Sequence, residues 1–332
     1  MSNHTRKRLA IIGLGNQGQE HLKAAILSEE VELVAGVDSD AGILQQVNCL
    51  YSDLNLSLHN HISELRQYDL DGVILALPHH CYIDLWQEIL SLGIPLLKEK
   101  PLGRTLDEAR SLLAQARACG CPLQTAIQRR HHPSYQALKR QLSEQQATAR
   151  EVHAHLHLGF SPQGEKEGWR SRQIMSGGGV LLDAGYHIVD LLHYIVGPFD
   201  LVSASLWRNG LALNIQEIED EAYIVGRSEK TWVMLESRLS GEPDSGSSSG
   251  YRKSEGIRIL TDKGLFFADR QGLSQDGRLL ENYAKDWNTA MAQQLDQFAK
   301  NIQSGRWNDP IIWDQLPAMQ LIEQAYKLAH RY

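Results

Sequence analysis

Leu9-Ala10-Ile11-Ile12-Gly13-Leu14-Gly15-Asn16-Gln17-Gly18 is an apolar run entering G-x-G-x-x-G. The amphipathic stretch Gln19–Leu27 follows, with Leu22, Ala25 and Ile26 on one side. A short apolar run bounded by glycine suits a buried strand, and the spacing after it suits a helix. In a strand–turn–helix unit, Gly13 permits the tight turn, Gly15 lets the backbone approach a pyrophosphate, and Gly18 lets helix and strand pack closely. Phosphates then sit on the unpaired amides at the positive end of the helix. The next apolar run, Val31–Val37, ends in Asp38, where a carboxylate can accept from a ribose 2′-OH and repel a 2′-phosphate. No basic residue follows directly in Ser39-Asp40, so the pattern favours NAD over NADP.

Outward from this unit, apolar runs recur at Val73–Leu77, Ile94–Leu97 and Leu123–Ala126, with the helical pattern Leu106–Ala118 between the last two. Residues 48–62 are harder to read and hold a weak strand near Leu56–Leu58. Strands alternating with helices predict a parallel, doubly wound α/β sheet covered on both faces. The pattern changes after Pro133. A helix-like stretch, Tyr135–Leu142, precedes Val152–Phe160, whose period-two alternation marks an antiparallel strand with one wet face. Strand-like segments follow at Leu201–Trp207, Glu221–Gly226, Thr231–Leu239, Gly256–Thr261 and Leu265–Ala268, and helices close the chain at Trp287–Ile302 and Trp313–His330. The expected organisation is a Rossmann domain over 1–128 and, over 129–332, an α+β domain with a large open, mostly antiparallel sheet, its terminal helices free to pack back on the first domain. Gly241–Gly250, almost without apolar residues, reads as a mobile loop.

The 332 residues carry 33 basic and 40 acidic side chains, a net −7. A mildly acidic chain without a basic stripe argues against nucleic-acid binding. The apolar run after Arg6, Lys7 and Arg8 is too short for a secretory signal, and no contiguous apolar run reaches a membrane span. Cys49, Cys81, Cys119 and Cys121 form no CxxC pair and no zinc spacing, so reduced thiols and a cytoplasmic location are expected, with no metal.

Two further stretches carry chemistry. Lys98-Glu99-Lys100-Pro101 follows a strand, and ligands of open α/β sheets bind beyond the strands' carboxyl ends. Lys100 is thus placed to donate to a reacting oxygen, with Pro101 able to take a cis bond that aims it; on local sequence alone a surface lysine before a helix-starting proline is the stronger reading, because exposed lysines are common. Ser176-Gly177-Gly178-Gly179 precedes a helix on which Asp183, His187 and Asp190 share one stripe, opposite Ile188, Leu191, Leu192 and Ile195. A histidine held by a carboxylate can act as general acid and base, and a solvated His–Asp pair is the bland alternative. Residues at the strand ends complete the candidate cofactor contacts: Gly13, Gly15, Asn16, Gln17, Gly18, Asp38, Leu77, Pro78, Glu99, Lys100 and Gln128.

GLGNQG with Asp38, then EKP, then GGGVLLDAGYHIVD stand in one order, and the whole resembles the Gfo/Idh/MocA oxidoreductases, the glucose–fructose oxidoreductase and inositol dehydrogenase family. The likeness extends to Arg130-His131-His132-Pro133, Trp169 and Thr261-Asp262-Lys263-Gly264. It implies an NAD-dependent dehydrogenase acting on a secondary hydroxyl of a sugar, cyclitol or other polyhydroxylated small molecule, with the nicotinamide between the domains. Lys100, Asp183 and His187 would form the reaction centre, and Arg130, Trp169 and Arg172 are candidate substrate contacts. An NAD-dependent glycoside hydrolase using transient oxidation and a non-catalytic NAD-binding regulator are the alternatives. The sequence departs from the family at Tyr82, where many members carry His, at Lys98, where an apolar residue or Cys is common, and at Arg170 and Arg172; these put the substrate in doubt. An open sheet with apolar residues on both faces implies a homodimer or homotetramer.

Overall fold

A computed structural model describes residues 6–160, 168–213, 217–246, 250–283, 287–305, 307 and 316–329. The chain divides into two compact units: Met1–Leu102, Asp107–Gln128 and Asp286–Asp314, and Gly103–Leu106, Arg129–Lys285 and Gln315–Tyr332.

The first unit holds six parallel strands: β1 (Lys7–Ile12), β2 (Val31–Val37), β3 (Ser57–His59), β4 (Gly72–Leu75), β5 (Leu96–Glu99) and β6 (Leu123–Ala126). Their order is β3-β2-β1-β4-β5-β6. The chain reverses its winding between β1 and β4, the switch point where such sheets bind ligands. The helices are α1 (Asn16–Leu27), α2 (Ala41–Leu50), α3 (Cys81–Leu90) and α4 (Leu106–Ala118). Leu9, Ile11, Leu22, Ile74 and Leu97 form the core of this unit with Met291, Leu295 and Phe298, which come from α8 (Trp287–Ser304). The α8 wall is tight: a Cβ on Gly72 would lie 3.1 Å from both Phe298 and Ile302. Ser28 hydroxyl donates to the Asp296 carboxylate and ties α8 to the end of α1.

β5 starts and ends two residues later than the apolar run Ile94–Leu97. Pairing with β4 begins at Leu96, and Lys98 and Glu99 continue the strand although charged, because both are buried among fixed partners. β4 is shorter than Val73–Leu77; Ala76 already donates its amide to Ile12 as the chain turns away.

The second unit comprises α5 (Pro133–Glu144), β7 (Ala149–Phe160), α6 (Gln173–Ser176), α7 (Tyr186–Val196), β8 (Asp200–Arg208), β9 (Leu211–Ala212), β10 (Glu221–Arg227), β11 (Trp232–Ser240), β12 (Glu242–Pro243), β13 (Tyr251–Arg252), β14 (Ser254–Thr261), β15 (Gly264–Ala268), β16 (Gly272–Gln275), β17 (Arg278–Asn282) and α9 (Leu316–Ala329). Nine strands form one sheet in the order β17-β16-β15-β14-β7-β11-β10-β8-β9. The sheet is antiparallel except for β7 and β11, which pair in parallel. The alternation of β7 is as expected: Val152, Ala154 and Leu156 are buried, and His153 and His155 turn to the other face. That other face, with Tyr223, Met234 and Phe267, lines an open hollow of about 520 Å³.

The stretch Gly241–Gly250 is bracketed by the β12–β13 ladder; its residues 247–249 lie outside the described ones, as do 313–315 and 330 of the final helix. Gln173–Val196 has the length and mean hydropathy of a membrane span, but 72% of its most apolar window is buried inside the structure, as in a core helix.

Candidate active site

The glycine turn of the first unit is shaped for a dinucleotide. Gly13 has φ +93°, and a Cβ there would lie 2.5 Å from the Ala76 carbonyl oxygen. A Cβ on Gly18 would lie 2.0 Å from the Gly13 carbonyl oxygen. At Gly15, by contrast, a Cβ would meet nothing within 4 Å, so bare backbone faces open space. Gly15 caps α1 without a side-chain hydrogen bond, and no acid occupies the first turn. The helix therefore offers its amides and its positive end to an anion. Asp38 Oδ2 accepts from the Leu14 amide at 2.8 Å and Oδ1 from the Asp40 amide at 3.0 Å, which fixes the carboxylate at the end of β2. Gln128, at the end of β6, is buried, and its Oε1 has no hydrogen-bond partner among the described residues. These residues fit NAD.

The lysine segment is held from two sides. Lys100 is half-buried and joined to Pro101 by a cis peptide bond. Its amide donates to Glu99 Oε2 at 3.2 Å. Glu99 Oε1 lies 2.7 Å from His21 Nε2 and accepts from Gln17 Nε2 at 3.1 Å, so α1 anchors the segment. Gln17 thus serves Glu99. Lys98 is 1% exposed; its Nζ donates to the Glu99 carbonyl at 3.1 Å and the Pro101 carbonyl at 2.7 Å. Burial pushes the Lys98 pKa down to about 7, against the pull of Glu108 and Glu99 and with the push of Lys100. Tyr82 lies beneath it, ring centroid 3.8 Å from Nζ. The Tyr82 hydroxyl donates to the Leu75 carbonyl at 3.1 Å and accepts from the Leu77 amide at 3.2 Å. Leu77 and Pro78 follow β4 after Ala76 and are half-buried.

In the second unit, the three glycines feed a helical run whose first turn, Leu181–Gly185, is π-helical before α7 begins. Glu219 fills the N-terminus of this run. Its Oε2 accepts from the Gly179 amide at 3.0 Å, its Oε1 from the Leu181 amide at 2.9 Å, and its own carbonyl from the Val180 amide at 3.0 Å. The Tyr326 hydroxyl of α9 donates to Oε1 at 2.7 Å. Burial pushes the Glu219 carboxyl up, and these donors oppose the shift. His187 is 8% exposed. Asp183 Oδ2 is 3.6 Å from Arg170 Nε, and the Arg170 guanidinium lies 4.4 Å from the Trp169 ring centroid. Arg172 is exposed at the start of α6.

The acid–imidazole–acid stripe does not persist as a set. Asp190 is 2% exposed and grips Arg130 through two bonds, Nε to Oδ2 at 2.8 Å and Nη2 to Oδ1 at 2.6 Å. A bidentate pair of this kind fixes both side chains. The π turn also changes the phase of the helix between Asp183 and His187.

Residues 7–127 match a family model described as the GFO/IDH/MocA oxidoreductase family, NAD-binding Rossmann fold, and residues 135–264 match the GFO/IDH/MocA C-terminal domain. The chain belongs to the GFO/IDH/MocA family. Its first unit is the family's NAD-binding Rossmann fold. Among relatives, it is 30% identical over 200 residues to the rhizopine catabolism protein MocA of Rhizobium meliloti, covering 58% of each chain. It is 23% identical over 323 residues to the scyllo-inositol 2-dehydrogenase (NAD(+)) of Bacillus subtilis, covering 92% of this chain and 89% of that one. A solved myo-inositol dehydrogenase from Corynebacterium glutamicum shares the fold, with a TM-score of 0.77 and 18% identity over 98% of this chain and 97% of that one. The chain spans less than two thirds of the length of the first of these relatives.

The sequence analysis of this GFO/IDH/MocA chain missed His21, the role of Lys98 and Glu219. His21 stands three residues after Gly18, on the buried side of α1, and that spacing was the available signal. Glu219 has no local signature; its three amide donors come from residues some forty positions away.

Proposed function

We propose that this protein is an NAD-dependent oxidoreductase that moves a hydride between the nicotinamide and a secondary hydroxyl of a sugar, cyclitol or related polyhydroxylated molecule. The observation that carries this is the glycine turn: Gly15 opens onto an uncapped helix end beside Asp38, in a chain of an oxidoreductase family. A scyllo-inositol 2-dehydrogenase relative that aligns along 92% of the chain supports the substrate class.

Bound NAD supplies the hydride acceptor. His187 takes the hydroxyl proton on a ring nitrogen as the carbon–hydrogen bond breaks. The Lys100 ammonium donates to the oxygen as negative charge develops on it. Asp183 orients the substrate or the imidazole, with Arg170 Nε 3.6 Å from its Oδ2. Asp38 selects NAD by accepting from the ribose hydroxyls and repelling a 2′-phosphate.

The test is NADH formation with a panel of inositols and sugars. Lys100→Ala and His187→Ala should each lower kcat by about 100-fold or more. Full turnover in both variants rejects the assignment, and glycoside cleavage without net NADH marks transient oxidation instead. The face carrying His153, Tyr223, Met234 and Phe267 is proposed as the pairing surface for a second copy. A solution mass equal to that of one 37.3 kDa chain rejects it. Four cysteines, all without disulfides, support a reducing, cytoplasmic location.

A further inference from the structure

Lys98 is buried in β5 two residues before the lysine assigned to the reaction, yet it points away from water and into its own backbone. An ammonium has three donors. Two of them meet the carbonyls of Glu99 and Pro101, at 3.1 and 2.7 Å, and the third side of the ammonium faces the Tyr82 ring. Those two carbonyls belong to the residues on either side of Lys100. A charge this deeply buried is costly, and a methionine of similar length would fill the same space without that cost. What methionine cannot do is tie both flanks of Lys100 to one point. Tyr82 is itself fixed by the end of β4, through the Leu75 carbonyl and the Leu77 amide. The chain of contacts therefore runs from β4, through an aromatic face and an ammonium, to the carbonyls of the two residues that flank Lys100.

We propose that Lys98, seated on Tyr82, is a positioning residue that fixes Lys100 by pinning the carbonyls on either side of it. The proposal rests on the reading that Lys100 serves the substrate oxygen. It adds a second clamp to the one that Glu99, His21 and Gln17 apply from α1. The two clamps grip different atoms: the α1 side holds the Lys100 amide, and Lys98 holds the neighbouring carbonyls.

The test compares wild type, Lys98→Met, Lys98→Gln and Lys100→Ala as full-length, NAD-loaded proteins. Amide hydrogen exchange at Lys100 and Leu102 needs no substrate and is read first. Lys98→Met should speed it by about tenfold or more while exchange in α1 and NAD affinity stay within about threefold. On any polyol that wild type oxidises, kcat should fall by about tenfold with KM little changed. Lys98→Gln keeps two N–H donors without the charge and should recover part of both losses. Unchanged exchange in Lys98→Met, or a loss shared equally by exchange in α1 and NAD affinity with no recovery in Lys98→Gln, overturns the proposal. Lys100→Ala separates the two readings: full turnover there defeats the role of Lys100, whereas its loss beside an unaffected Lys98→Met defeats only the clamp.

Discussion

The chain has two glycine-rich turns that feed helices, and they treat the helix end in opposite ways. At Gly13–Gly18 no side chain caps α1, its first turn has no acid, and Gly15 faces open space. At Gly177–Gly179 the helix end is already occupied: Glu219 takes the amides of residues 179, 180 and 181, and Tyr326 closes over the carboxylate. Glycine is needed in both places for close approach. A Cβ would lie 2.0 Å from the Gly13 carbonyl oxygen at Gly18 and 2.0 Å from the Glu219 carbonyl oxygen at Gly179. The first turn keeps its positive end for a bound anion and the second carries an anion of its own. A glycine-rich turn before a helix is therefore not by itself a phosphate site; what occupies the amides decides.

The largest expected effect breaks the second turn. Glu219→Ala strips the acceptor from two buried amides and the Tyr326 hydroxyl, and should cost about 4 kcal/mol of stability in the second unit, at roughly 1–3 kcal/mol per unsatisfied group. NAD affinity should hold, and denaturant melts with and without NAD check both halves of that statement. Gly18→Ala is the converse. Titration should show NAD binding weakened by about 100-fold, or about 2.7 kcal/mol, because the turn must open to accept the methyl group. If it binds NAD like wild type, the turn is not the phosphate cradle.

The smallest effect sharpens the contrast through pH. Burial raises the Glu219 carboxyl in the folded state above its usual 4.5, so the folded form takes up a proton first as pH falls. The stability of wild type relative to Glu219→Gln should then grow as pH falls through the raised folded pKa to below 4.5, by about 1.4 kcal/mol for each unit by which the pKa is raised. A stability difference that stays flat or shrinks as pH falls contradicts a carboxyl raised by burial at the helix end.

What the sequence made legible was local. β1, its glycine turn, α1, β2 and Asp38 follow from apolar runs and spacing within thirty residues; β2 has the expected bounds, whereas β1 begins earlier, at Lys7, and α1 earlier, at Asn16. The alternation of β7 also reads correctly, but period two says nothing about strand direction, and the parallel pairing with β11 is set by topology. β5 was displaced because Lys98 and Glu99 break its apolar pattern; their partners, Tyr82, His21 and the segment's own carbonyls, are not visible in a window of sequence. Asp190 looked like a neighbour of His187 because helical spacing was the only information at hand, whereas its partner Arg130 is sixty residues earlier. Local pattern finds the backbone that bears a site, and distant partners decide which side chains remain to act.

The place of α8 has a consequence for biosynthesis. Leu9, Ile11 and Leu22 leave the ribosome long before Met291, Leu295 and Phe298, which complete the same core. The nucleotide lobe must wait, with part of its apolar interior wet, while the whole second sheet is translated. A nascent chain halted before residue 287 lacks the α8 side chains that cover that surface, which makes the lobe a natural client for a chaperone until α8 emerges.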